Sequence, residues 1–267
     1  MSIDEWRNDR ARVLRLGGLP ADLRGPPPRR ALLLNATALP RRAGAECLGT
    51  GLLVAIVIGS GVAAERLSPH DAGLRLLEGS LATALGLTTL VWALGPVSGA
   101  QLNPVVTLAG RLLGDSRGAV PLVAYVGAQF IGAVVGCLLA NAMFGVPTML
   151  SATDRAAPGS VLAEIVATAG LVLVVFALSR VNRPLLIAPA VGAYIGAAYW
   201  FTSSTGFANP AVTVGRMFSD TFAGIAPTST PWFVGAQLVG GALGVLLVLA
   251  LYPIDRRRPS CPRPSRP

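Results

Sequence analysis

Asn103 and Asn209 are the residues of this chain best placed to do chemistry. Each is followed by proline and a small or branched apolar residue, Pro104-Val105 in one stretch and Pro210-Ala211 in the other, within sequence too apolar for a surface loop. Asparagine caps helices through its side-chain carbonyl, and proline suits the first helical position. The pattern predicts two short capped helices, the second running through about Met217. A helix N-terminus carries unpaired N–H groups and about half a positive charge. Two such ends meeting at membrane depth repel cations and accept a neutral solute with a lone pair. Each asparagine carbonyl caps its own helix while its NH2 donates to a passing oxygen, a division of labour that a carboxylate cannot perform. One Asn-Pro pair reads as an ordinary turn; two copies at matching places argue for a built site.

Glu46 and Glu164 lie deep in apolar runs, where an ionisable residue is a functional candidate. Proton relay is one reading of the pair. Their placement at equivalent positions of two halves favours a structural role. No nucleophile with a base, no phosphate loop and no paired carboxylates in a polar setting accompany them, so an enzyme reading has little support. Cys47, Cys137 and Cys261 are scattered and His70 stands alone, so neither a disulfide framework nor a metal site is expected, and no cofactor is implied.

The elements that must position these residues are membrane spans. The chain is 52% hydrophobic and 13% charged over 267 residues, which is membrane composition. Six apolar segments, roughly 43–64, 79–95, 121–143, 161–179, 185–202 and 231–252, each approach the ~20 residues that a spanning helix needs. All 22 basic residues are arginine; nine precede Ala43 and five follow Ile254. They form basic tails, 1–42 and 253–267, and are not interleaved with aromatics, so they report orientation and not a nucleic-acid partner. The apolar run 31–39 is broken by Asn35, followed by Pro40-Arg41-Arg42 and lacks a cleavage motif, which argues against a signal peptide. With both termini cytoplasmic, only Arg66, Arg75, Arg155 and Arg216 fall outside.

The halves 43–143 and 161–252 repeat one another. Ala45-Glu46 through Val54 matches Ala163-Glu164 through Val172, the Asn-Pro boxes match, and Val126-Gly127-Ala128-Gln129 with Gly132 and Gly136 matches Val234-Gly235-Ala236-Gln237 with Gly240 and Gly244. Three spans per half force opposite orientations, an inverted repeat. Residues 43–252 then form one all-α transmembrane channel domain with six spanning helices and two re-entrant half-helices. Backbone leaving helical geometry at membrane depth is tolerated where it lines a wet cavity.

The spans, boxes and paired glutamates resemble the aquaporin and glyceroporin (major intrinsic protein) family over residues 43–252. The resemblance implies a pore in each protomer, a homotetramer in the cell inner (plasma) membrane, and passage of small neutral solutes. It also implies that Glu46 and Glu164 accept hydrogen bonds from the half-helix loops. Two departures matter. Val105 stands where alanine is usual, adding two methyls beside the waist. Val212 stands where the family's filter arginine usually does. The other filter positions are Gly206, either Thr83 or Leu85 on the second span, and either Tyr194 or Ala197 on the fifth. Gly206 and Val212 imply a filter wider and less polar than in a water-specific channel, resembling the bacterial subset linked with metalloid acids such as arsenous acid. Arg216, one turn beyond Val212, either supplies a vestibule charge or complements the half-helix dipole. The competing class is a secondary transporter, since inverted repeats with broken helices also build alternating-access sites.

Overall fold

The computed structural model describes residues 39–114 and 122–253. Most of the basic N-terminal tail, Cys261 and nearly all of the C-terminal tail lie outside the described residues. Among them the regular elements are all helical, without a strand: α1 Leu39–Leu67, α2 Ala72–Ser98, α3 Pro104–Leu112, α4 Leu122–Phe144, α5 Pro158–Arg180, α6 Ile187–Phe201 after a 3-10 turn, α7 Pro210–Gly215 and α8 Thr230–Leu251. Six of these, α6 counted with its leading turn, are long and apolar enough to cross a membrane.

Two element ends differ from the sequence expectation. Helix α1 begins at Leu39, inside the expected basic tail, because Pro40 in a first turn removes no helical hydrogen bond. Arg42 then lies on the helix, its Nε donating to the Tyr125 hydroxyl at 3.0 Å. Helix α2 starts early, where the Asp71 side chain accepts from Leu74 N at 2.8 Å, and carries Pro96 to stop at Gly99 in left-handed geometry.

The two most extensively packed helix pairs are α1 with α4 and α5 with α8, equivalent pairs of the two repeats. Glycine makes both possible. A Cβ on Gly132 or Gly136 would collide with the Cys47 or Gly51 carbonyl of α1, and one on Gly244 would stand 2.8 Å from the Ala169 carbonyl of α5. Backbones this close leave no space for a side chain. The outward faces carry exposed apolar residues such as Leu85, Ile131, Leu162 and Trp232, as a lipid-facing surface requires. Helices α3 and α7 enter from opposite ends, and their N-termini meet.

Candidate functional site

The site begins as a backbone problem. The residues one and three before each asparagine, Ala100 and Leu102 in one loop and Gly206 and Ala208 in the other, have φ of 45°, 50°, 61° and 48°. Non-glycine residues in this left-handed region cost about 1–2 kcal/mol each. The glutamates offset that cost. Glu46 Oε1 accepts from Ser98 Oγ at 2.6 Å and Gln101 N at 3.0 Å; its Oε2 accepts from Leu102 N at 2.7 Å and Gln129 Nε2 at 2.8 Å. Glu164 accepts from Phe207 N and Ala208 N, both at 2.9 Å, and from Gln237 Nε2 at 2.6 Å. Every one of these partners is a donor.

The glutamines extend each bracket to the half-helix itself. Gln129 Nε2 also donates to Thr107 Oγ1, which donates to the Asn103 carbonyl; Gln237, Thr213 and Asn209 repeat the relay. In the sequence the two glutamines stand out only as members of matched stretches. Their signal was present: an amide recurring at equivalent places in two apolar spans needs a partner that the span itself cannot supply.

At the waist Asn103 Oδ1 accepts from Val105 N at 2.9 Å, and Asn209 Oδ1 from Ala211 N at 3.0 Å. The amide nitrogens cross over, Asn103 Nδ2 to the Ala208 carbonyl at 2.7 Å and Asn209 Nδ2 to the Leu102 carbonyl at 2.8 Å. One N–H of each amide therefore ties the opposite loop, and the second is available to the cavity that both residues border. Pro104, Val105, Pro210 and Ala211 are buried behind the waist and do not border it. The extra methyls of Val105 point away from the lumen onto Gly241 of α8, where the missing side chain makes room.

The cavity is about 100 Å³, room for about three waters at liquid density. Its walls come from helices α1, α2, α5 and α6, together with α3 and α7 and the loops that enter them, with positions four apart on each span: Leu53 and Val57, Thr83, Leu87 and Val91, Leu171 and Val175, Val191, Ile195 and Tyr199. Among these, Thr83 borders the cavity, whereas Leu85 is 68% exposed on the outer face. On α6 neither expected residue borders it. Ala197 is exposed, and Tyr194 turns to the Val166 carbonyl and the Phe201 ring. The polar residue of α6 that borders it is Tyr199, whose hydroxyl bonds Thr83 Oγ1 at 2.8 Å. The four-residue spacing Val191, Ile195, Tyr199 is the sequence signal for it.

Val212 borders the cavity, with Gly206 beside it. A Cβ on Gly206 would meet Ala198 Cβ at 2.5 Å, so glycine serves backbone geometry and close packing there more than pore width. A second cavity, about 30 Å³, lies toward the α1–α2 turn, and Val57, Tyr199 and Arg216 border both spaces. Arg216 is 5% exposed, with its guanidinium 3.5 Å from the centre of the Phe207 ring. The connection between α7 and α8 is tied to the one between α4 and α5, since Arg155 donates to the Gly224 and Phe222 carbonyls and Asp154 accepts from Ser229 Oγ. That hydroxyl, with the Ala156 N–H, holds the Asp154 carboxyl below its usual range. No cluster of His, Cys, Asp or Glu that could hold a metal occurs among the described residues.

A family model described as major intrinsic protein matches residues 34–203. The chain is 46% identical over 211 residues to a protein described as aquaglyceroporin AqpS of Rhizobium meliloti (strain 1021), covering 79% of this chain and 89% of that protein. It is 32% identical over 244 residues to a probable aquaporin AqpM of Archaeoglobus fulgidus, covering 80% and 96%. Among solved structures it is similar to the X-ray structure of the aquaglyceroporin from Plasmodium falciparum, with a TM-score of 0.60 and 22% identity over 80% of this chain and 96% of that one, a likeness that speaks to the fold alone.

Proposed function

Because the chain belongs to the major intrinsic protein family, we propose that this multi-pass membrane channel for small solutes passes uncharged polyhydroxy molecules, glycerol and arsenous acid among them, with no strict preference for water. The observation that carries the proposal is Val212 at the cavity wall, where an arginine would narrow the path and supply fixed donors. Its apolar side chain shares the cavity lining with the hydroxyl pair of Thr83 and Tyr199, so the path offers both apolar and hydrogen-bonding surface, which suits a molecule with a carbon or metalloid face and several hydroxyls. Arg216 then serves as the vestibule charge. Cation exclusion rests on it and on the two half-helix N-termini at the waist.

Several finer points belong to the same reading. Both termini are cytoplasmic, supported by the arginine distribution. The protein is a homotetramer in the cell inner (plasma) membrane, which rests on the family resemblance. Glu46 and Glu164 are brackets for the loops and not coupling-ion sites, supported by their exclusively donor partners. Transport is therefore downhill. The test is stopped-flow light scattering on proteoliposomes with water, glycerol and arsenous acid in one preparation. Accumulation of any of them against its gradient would establish a secondary transporter instead.

A further inference from the structure

The mouth toward the α1–α2 turn holds more positive charge than passage of a neutral solute uses. Arg216, 5% exposed, gives its Nε to the Ala223 carbonyl, and no other hydrogen bond or ion pair engages its guanidinium among the described residues. Arg75 borders the 30 Å³ cavity, and its Nε is buried without a hydrogen-bond partner, a costly state for a donor. Arg155 borders the same cavity, and its charge acts on Arg216. Aromatic rings hold the three in place: Phe222 lies 5.1 Å from Arg75, and Phe207 lies 5.6 Å from Arg155 and 3.5 Å from Arg216. Glu78, three residues from Arg75 on α2, accepts from Ser68 Oγ at Oε1 and keeps a buried Oε2 without a hydrogen-bond partner, and Glu164, whose charge acts on Arg155 and Arg216, is bound to its own loop. Glu65 and Asp220, in the adjoining groove, accept the backbone N–H groups of Phe222 and Ala152.

We propose that this cavity binds a small oxyanion, which engages Arg75 and Arg216 and obstructs the pore mouth. Several oxygens on one centre match guanidinium forks, and burial strengthens such charge-assisted bonds. The cavity is too small for a metabolite of drug size. Obstruction follows from position, because Arg216, Tyr199 and Val57 border both the cavity and the pore. Obstruction rests on the channel reading; binding does not.

Inorganic phosphate is the probe, at constant ionic strength because exposed arginines also attract ions nonspecifically. Equilibrium binding of radiolabelled phosphate to the purified full-length protein in detergent should show one saturable site per protomer, displaced by sulfate. Arg75→Gln should weaken it about tenfold or more, the loss of a charge-assisted bond, and Arg75→Lys should restore part. In proteoliposomes with phosphate on both sides, glycerol flux should slow for the wild type and not for Arg75→Gln. Absence of saturable binding to folded wild type, or binding indifferent to Arg75→Gln, refutes the site. Binding that leaves flux unchanged refutes obstruction. Vesicles with no glycerol flux at all refute the channel reading, and the binding curve still judges the site.

Discussion

At the scale of single residues, the account turns on which atoms donate. Replacing Asn209 by aspartate sets a carboxylate oxygen against the Leu102 carbonyl, where Nδ2 now donates at 2.8 Å. A repulsive buried contact of this kind costs about 1–3 kcal/mol unless the carboxyl keeps its proton. A lower melting temperature is expected, together with either cation leak in ionised channels or reduced neutral flux; unchanged stability, conductance and flux would remove the asparagine from the waist. Glu46→Gln turns an NH2 toward donors that include Leu102 N and Gln129 Nε2. Folded yield should fall, and the transport pH profile of what folds should match wild type; the reverse pattern would point to proton coupling. The asparagines and glutamates were legible in the sequence because each occurs twice in register. Tyr199 was legible only as the third member of a four-residue spacing on its helix, since a single aromatic on a short span has no partner copy, and its bond to Thr83 joins residues 116 positions apart.

At the scale of elements, glycine decides how closely the repeats pack. Gly241 receives the Val105 methyls, so Gly241→Ala should overpack that contact and destabilise by about 1–3 kcal/mol. Val105→Ala should relieve most of the loss in the double variant, with thermal melts of all four proteins completing the cycle. Additive losses would mean that the two sites do not touch. The spans followed from hydropathy, though α1 and α2 begin earlier than expected, but the α4–α5 and α7–α8 connections did not follow, because their contacts join distant segments. Asp154 and Ser229 are such a contact. The folded-state pKa of Asp154 is depressed, so the tie contributes fully above the ordinary aspartate value of about 3.9 and is lost as pH falls through the lower folded value. In an acid titration of stability, Asp154→Asn should lack that component; identical wild-type and variant curves would show that the tie is idle.

For the whole molecule, the inverted repeat was visible as three matched stretches in the same order. Two half-helices meeting N-terminus to N-terminus follow from it without further assumption. What the repeat could not reveal is where symmetry breaks, since the halves match at the waist and diverge at the mouth that carries Arg75, Arg155 and Arg216. The proposed filter is therefore a property of the assembled protein, since Val212, Tyr199, Thr83 and Arg216 come to one cavity from three helices and the 3-10 turn after α7. The most direct test of the central claim is stopped-flow flux of glycerol and arsenous acid through wild-type and Val212→Arg proteoliposomes, with water flux measured in the same vesicles. Wild type should pass all three, and the variant should lose glycerol and arsenous acid flux by a larger factor than water. Wild-type vesicles that conduct water well and exclude both larger solutes would contradict the account, placing the closure at Tyr199 and Arg216.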